Sequence, residues 1–408
     1  MSNPYAQIFR APGAKGFAAA AFVARMPMAM APIGIVAMLS QTHGEYWLAG
    51  AVSATFAIAN AIVSPQISRL VDRYGQSAVV APAMLISVVA FVALILAANQ
   101  SWPIWTLFVS ALLAATMPSI SAMVRARWSE LFSGRPELNT AFAFESSADE
   151  LVYIAGASVS VALSVSVFPE AGMIAGTAFL ALGTIAFLLQ RGSEPKVRLH
   201  DRVTARGSAI RLRPVQIITL ALVFVGAMFA TAEVSAVAIT EALGQASAAS
   251  LVIGVYAIGS FVLGLVLGAL NPKMALHRQL MIAVGVLAVT SIPLLFSTGS
   301  VAALAVAVFI SGIAISPTFI TAFGLIERRV PESMLTEGVT WVMTGIGIGM
   351  ALGSFTAGWI VDAYGPQHGF WVSVAAGAAS ALIIALGQGV LGDNKPRDAD
   401  RLQAQPAE

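Results

Sequence analysis

The chain has no cysteine and only four histidines in 408 residues. The first absence excludes disulfides, thiolate nucleophiles, Cys-ligated zinc and iron–sulfur clusters. The second argues against a His-built metal centre, because His43, His200, His277 and His368 all fall in connecting segments and none has H-E-x-x-H spacing. Charge is scarce too: Asp, Glu, Lys and Arg make up 10%, where soluble domains carry about 25%. The formal charge of +2 and a pI near 9.0 give no basic surface of the kind nucleic acid requires. There is no Walker-type phosphate loop and no G-x-S-x-G, so ATP hydrolysis and serine hydrolysis lack support, and neither an enzyme activity nor a cofactor is expected. What the chain has in abundance is apolar side chain, 58% of the sequence, with a mean hydropathy of +0.84.

A helix crossing a hydrocarbon core of about 30 Å needs roughly 20 apolar residues. Twelve stretches qualify: 16–40, 46–68, 78–98, 102–124, 139–167, 171–190, 214–240, 247–270, 278–297, 300–324, 336–361 and 368–391. The first is read as a retained helix and not a signal peptide, since it runs long and shows no small-residue cleavage site. Lys and Arg test the count independently, because they crowd the cytoplasmic side of a membrane protein. Twenty-one of the 22 fall before the first span or after the even-numbered ones, seven of them in 191–213, and only Arg25 lies inside a span. Both termini are therefore expected in the cytoplasm. Trp47, Trp102, Trp105, Trp359 and Trp371 fall near outer span ends, where an aromatic belt is expected. The basic loop suits the anionic inner leaflet of the bilayer.

Six spans precede 191–213 and six follow it, dividing the chain into a bundle over 1–190, a basic linker over 191–213, a second bundle over 214–392 and a polar tail over 393–408. Weak echoes at one offset support duplication. Leu39–Gly44 resembles Ile239–Gly244 at 200 residues, and Ala115-Thr116-Met117-Pro118-Ser119 matches Ala314-Ile315-Ser316-Pro317-Thr318 at 199. A third sets Thr140 and Glu145 against Thr336 and Glu337, with the acids out of register. Many secondary carriers are built this way, with the site near mid-membrane between the repeats.

The second span ends in Ser68-Arg69-Leu70-Val71-Asp72-Arg73-Tyr74-Gly75-Gln76, which resembles the G-x-L-x-D-R-x-G-R signature of the major facilitator superfamily. Ser68 replaces the first Gly, and Gln76 with Ser77 replaces the trailing basic residues, so the charge latch of this loop is expected to be weaker than in typical members. Val361-Asp362-Ala363-Tyr364-Gly365 repeats the D-x-Y-G pattern at the end of the eleventh span. The resemblance implies an all-α integral membrane protein of twelve helices in two pseudo-symmetric six-helix bundles. It further implies a multi-pass protein of the bacterial inner membrane that acts as a monomer on a small-molecule substrate. Arg69, Asp72, Arg73 and Gly75, with Arg125, Arg127 and Glu145, are then expected to form a cytoplasmic gate. Asp72 and Arg73 at a helix end can exchange hydrogen bonds between states. Ala157 stands where antiporters of the family have the Pro of a Gly-Pro motif in the fifth helix.

Ionisable groups inside the hydrocarbon region are expensive, so each is a functional hypothesis. Arg25 lies about ten residues into the first span, Glu145, Asp149 and Glu150 lie in the fifth, and Glu233 lies in the outer half of the seventh. The first and fifth helices start on the same side, which puts Arg25 and the Asp149–Glu150 pair at similar depths of roughly 13–17 Å and allows an ion pair. One cation against four acids cannot stay fully ionised at low dielectric, so Arg25, Asp149, Glu150 and Glu233 are assigned to proton coupling in a central cavity. Glu145, nearer the cytoplasmic end, is expected to pair with Arg125 or Arg127. Pro27, Pro32, Pro118 and Pro317 each remove a backbone donor inside a span and are candidate hinges. Gly345, Gly349 and Gly353, and Gly264 with Gly268, recur every four residues and suit close helix contact. The function expected is gradient-driven transport by alternating access, as proton-coupled export of small, partly apolar molecules. A carrier that takes up or exchanges an organic anion anchored by Arg25 is the alternative, and a non-transporting membrane receptor is the alternative from another class.

Overall fold

The computed structural model describes residues 4–43, 46–196, 207–245, 248–270 and 274–392. The tail over 393–408 and most of the basic linker lie outside them. Among the described residues there is no strand. The helices are α1 Pro4–Ile8, α2 Ala14–His43, α3 Tyr46–Tyr74, α4 Gln76–Asn99, α5 Ile104–Ala114, α6 Ile120–Phe132, α7 Glu137–Ser166 and α8 Ala171–Leu189. They continue as α9 Arg213–Ala242, α10 Ala249–Leu270, α11 Leu276–Thr290, α12 Val301–Gly312, α13 Ile315–Arg329, α14 Leu335–Tyr364 and α15 Phe370–Gly392. With all backbone hydrogen bonds satisfied within each segment, helices are the economical way to cross lipid. Among the described residues eleven helical segments are long and apolar enough to do so, and α5, at 11 residues, is a shorter apolar helix.

That short helix has a local cause. The fourth span is not continuous: it unwinds at Ala115–Ser119 and resumes as α6. Pro118 sits in the break, where its missing N–H and the restriction on the preceding residue favour a non-helical turn. The tenth span breaks at the echoing place, between α12 and α13, with Pro317 in the first turn of α13, where a helix N–H has no intrahelical acceptor anyway. The echo at 199 residues thus falls on two equivalent interruptions. Pro27 and Pro32, by contrast, lie inside the continuous helix α2.

The chain forms two compact units, one of Met1–Leu138 with Ala148–Arg206 and one of Asn139–Ser147 with Gly207–Glu408. In the first, α2 packs against α8 and α3. Gly183 on α8 lies on the backbone of α2, where a Cβ would strike Ala24, and Gly156 on α7 lies within 3.2 Å of the Met26 carbonyl oxygen, measured from where its Cβ would be. In the second, α9 packs against α14 and α15. Gly345, Gly349 and Gly353 lie on the carbonyls of Thr219, Val223 and Ala227, so this stripe brings two helix backbones together. Asn139–Ser147, the first turns of α7, contribute a hydrogen bond from Thr140 Oγ1 to the Gly268 carbonyl oxygen at 2.7 Å.

Candidate functional site

In the first unit, three helices deliver charge to one point. Arg25 on α2 donates from Nη1 to Asp149 Oδ1 at 2.6 Å, and Arg125 on α6 donates from Nη2 to Asp149 Oδ2 at 2.8 Å. Ser121 Oγ donates to Asp149 Oδ1 at 2.9 Å. Each guanidinium is also held by its own helix: Arg25 Nε donates to the Ala21 carbonyl oxygen, and Arg125 Nη1 to that of Ser121. Arg25 and Arg125 are 2% and 1% exposed and Asp149 7%, so the cluster is shielded from solvent and its attractions are poorly screened. Breaking a buried pair by deleting one partner typically costs about 3–5 kcal/mol, because the survivor keeps its desolvation penalty.

The ion pair between the first and fifth spans agrees with the depth argument from sequence. Arg125 differs: the helix that restarts after the break runs to Phe132 and carries it into the protein, where Asp149 receives it. Glu145 is fully buried and Glu150 is 7% exposed, one residue beyond Asp149. Ser121 was not singled out from sequence, although its place one turn before Arg125 puts both on one face of α6.

Arg127 builds a second site, in which its hydrogen-bond partners are uncharged and Glu194 is the nearby acid. Its Nε donates to Gln76 Oε1 at 2.8 Å, its Nη1 to the Gln190 carbonyl oxygen and to Ser193 Oγ, each at 2.9 Å. Its guanidinium carbon lies 3.7 Å from the centroid of the Phe187 ring, a cation–π contact made strong by burial. Gln76, standing where the signature carries a basic residue, donates in turn to the Met123 carbonyl oxygen at 3.1 Å. Next to it, the Ser77 backbone N–H donates to Glu194 Oε1 at 2.8 Å and its hydroxyl to Oε2 at 2.5 Å. A carboxylate there complements the positive end of α4. Arg69 and Arg73 are exposed and Asp72 is half-buried; Arg73 lies over the Tyr74 ring, 5.2 Å from its centroid. Gly75 ends α3 at φ 92°, ψ 157°, a conformation closed to residues with a Cβ.

The second unit places Glu233 on α9, half-buried, with no hydrogen-bond or ion-pair partner among the described residues. At the other end of this unit, Ser208 donates to Glu337 Oε1, and Trp341 Nε1 donates to the same oxygen at 3.2 Å. Among the described residues no group of His, Asp and Glu is arranged to hold a metal ion.

Two matches to the family description Major Facilitator Superfamily, over residues 17–237 and 217–406, cover nearly the whole chain. The chain belongs to the major facilitator superfamily, and is therefore a membrane transporter of multi-pass helical architecture. No curated protein sequence matches it. Among solved structures, a bacterial homologue of the iron transporter ferroportin, outward-facing, is 16% identical with a TM-score of 0.72 over 92% of this chain and 99% of that one. The human organic anion transporter MFSD10 (TETRAN) is 12% identical, TM-score 0.69, over 91% and 99%. The fucose:proton symporter of E. coli, as its N162A variant, is 15% identical, TM-score 0.63, over 90% and 97%. At these identities the likeness is one of fold.

Proposed function

We propose that this secondary transporter is a proton-coupled exporter of small, partly apolar molecules, working as a monomer by alternating access in the bacterial inner membrane, with Asp149 as the proton-exchanging group. The observation that carries this reading is that the two oxygens of one carboxylate each hold a guanidinium from a different helix. A proton delivered to Asp149 removes the negative charge from both bonds at once. Arg25 on α2 and Arg125 on α6 then lose their common tie to α7, so proton loading becomes a change in how three helices restrain one another. Glu150 is the neighbouring acid that can relay the proton, and the break at Pro118 beside Ser121 gives α6 room to respond. Arg69, Asp72, Arg73, Gly75, Arg127 and Glu145 serve as the cytoplasmic gate, and Pro27, Pro32, Pro118 and Pro317 as points of bending. The shortage of polar side chains in the spans, and the Met26, Met30 and Val152 cluster beside Arg25 and Asp149, favour a cargo with apolar surface.

The test is a compound screen in proteoliposomes of the purified chain under an imposed pH gradient, with internal pH recorded. Export of cargo with opposing proton movement is expected, and Asp149→Asn is expected to abolish gradient-driven accumulation while sparing cargo exchange at equal pH. Unaltered pH dependence in that variant overturns the assignment; absence of flux for every compound favours a receptor. A second reading draws on the same guanidinium pair: an organic anion could take the place of Asp149 between Arg25 and Arg125. It requires Arg25→Ala to abolish recognition of acidic analogues while leaving neutral ones unaffected.

A further inference from the structure

A helix that breaks inside a membrane leaves carbonyls and amides that lipid cannot satisfy, so their partners must come from the turn itself or from neighbouring helices. The fourth span breaks after the 11 residues of α5, about 16 Å along its path and about half the thickness of a hydrocarbon core. Part of the demand is met locally: the Thr116 and Met117 amides donate to the Leu113 and Ala114 carbonyl oxygens, each at 3.1 Å, and the Ile120 amide to that of Pro118 at 3.0 Å. The rest is met from two other helices. Ser87 on α4, fully buried, donates to the Ala114 carbonyl oxygen at 2.7 Å, and Thr116 Oγ1 donates to that of Ala83 at 3.3 Å. Asn60 on α3 spans the unwound stretch, its Nδ2 donating to the carbonyl oxygens of Ala115 at 3.0 Å and Met117 at 3.4 Å. One carboxamide thus ties together the carbonyls on either side of Thr116. Ser121 stands four residues beyond Met117 and Arg125 one turn further, and these are the α6 residues that hold Asp149.

The interruption in the tenth span is served from the matching place. Ser260 on α10 lies 200 residues after Asn60, the offset of the nearest echo, Leu39–Gly44 with Ile239–Gly244. Ala314 precedes α13 and has no side chain that could cap it. The Ser316 amide, one of the donors that a helix start leaves without an intrahelical acceptor, donates to Ser260 Oγ at 3.1 Å, and that hydroxyl donates to Ser316 Oγ at 3.2 Å. Gly264, one turn along α10, permits the approach, since a Cβ there would come within 2.7 Å of the Ser316 side chain. The chemistry is inverted between the halves. Asn60 supplies donors to carbonyls at the end of one segment, and Ser260 supplies an acceptor to an amide at the start of another. The residue type differs with the backbone groups to be satisfied, and the position in the repeat does not.

We propose that Asn60 is a positioning residue for α6, its amide fixing the break of the fourth span in the shape that presents Ser121 and Arg125 to Asp149, and that Ser260 fixes the start of α13 from the equivalent position. What this means for Asp149 rests on the transport reading above; the pinning of the breaks does not. Because the chain has no native cysteine, spin labels can be placed at will in the purified full chain in detergent. Trp105→Cys with Glu130→Cys labels exposed positions on α5 and α6, on either side of the break, and Ala78→Cys with Leu96→Cys on the unbroken α4 is the control. Double electron–electron resonance should give a narrow distance distribution for both pairs. Asn60→Leu should widen the first about twofold and leave the control unchanged, because an interhelical hydrogen bond is lost only at the break. Asn60→Gln keeps the donor and should restore the width, and Asn60→Ala replaces the leucine variant should that one fail to fold. Ala302→Cys with Arg328→Cys reads the other break, where Ser260→Ala should widen the distribution and Ser260→Thr, which keeps the hydroxyl, should not. An unchanged first pair, a glutamine variant as wide as the leucine one, or equal widening of the control pair overturns the assignment of Asn60, and an unchanged second pair in Ser260→Ala overturns that of Ser260. Unaltered pH dependence in Asp149→Asn with the label pairs behaving as expected removes the transport reading and leaves the pins standing; the opposite result removes the pins alone.

Discussion

Asp149 and Glu233 are both acids in apolar helices, yet their surroundings are opposites. Asp149 holds two arginines and a serine in the first unit, whereas Glu233 in the second has no ion-pair or hydrogen-bond partner among the described residues. The contrast extends to the repeat. At the offsets set by the three echoes, 200, 199 and 196 residues, Arg25, Arg125 and Asp149 correspond to Val225, Gly324 and Gly345. Val225 is 1% exposed, Gly324 packs against the Leu276 side chain, and Gly345 lies on the Thr219 carbonyl. One half therefore fills these positions with charge and the other with dry contact. The corresponding positions of the second half carry no charge, so the ionic cluster is not a feature the two halves share. That makes a cluster held at the expense of desolvation a candidate for work other than packing.

The largest effect should follow from making the first half resemble the second at its acid. Asp149→Leu leaves two buried guanidiniums without their carboxylate and is expected to destabilise the chain by about 3–5 kcal/mol, read as a large drop in thermal midpoint in detergent; a midpoint near wild type would mean the two arginines find other acceptors. The reverse exchange is Gly345→Asp, which drives a side chain into the Thr219 carbonyl. Overpacking of this kind costs about 1–3 kcal/mol or more, and Gly254→Ala, where a Cβ meets nothing within 4 Å, is the neutral control in the same stability assay. A smaller loss, about 1 kcal/mol, is expected for Glu194→Gln, which weakens the two bonds from Ser77 and the favourable charge at the start of α4. Faster hydrogen exchange confined to the first turn of α4 would localise that effect.

Hydropathy and the one-sided placement of Lys and Arg made the spans legible from sequence, because lipid imposes both patterns on any helix that crosses it. Counting residues from a common side was enough to set Arg25 level with the Asp149–Glu150 pair, since helix rise is constant, while the choice of Asp149 over Glu150 came only with the structure. The same arithmetic could not find Arg125. A 23-residue apolar stretch ending just before it reads as one span with a cation at its border, and only the unwinding at Ala115–Ser119 moves the following helix so that Arg125 and Arg127 become buried. Nor does an uncharged residue in place of a basic one announce what it does. Gln76 marks a departure from the signature, and its service as acceptor for Arg127 depends on a helix more than 50 residues away. The glycine stripe on α14 was readable as a contact surface, but its mate on α9 was not, because a backbone carbonyl leaves no mark in the side-chain pattern.

The turn at Gly75 has a twin. Gly365 ends α14 at φ 96°, ψ 158°, its N–H bonded to the Val361 carbonyl as that of Gly75 is to Val71. One closes an even-numbered span and the other an odd-numbered one, and the residues flanking them differ: Arg73 and Gln76 at the first, Ala363 and Pro366 at the second. The sharp reversal between neighbouring helices is thus a self-sufficient piece of backbone carpentry, assembled equally well with or without a guanidinium beside it. Whatever Arg73 contributes to the protein is therefore free to be tuned, or lost, without unmaking the corner on which it stands.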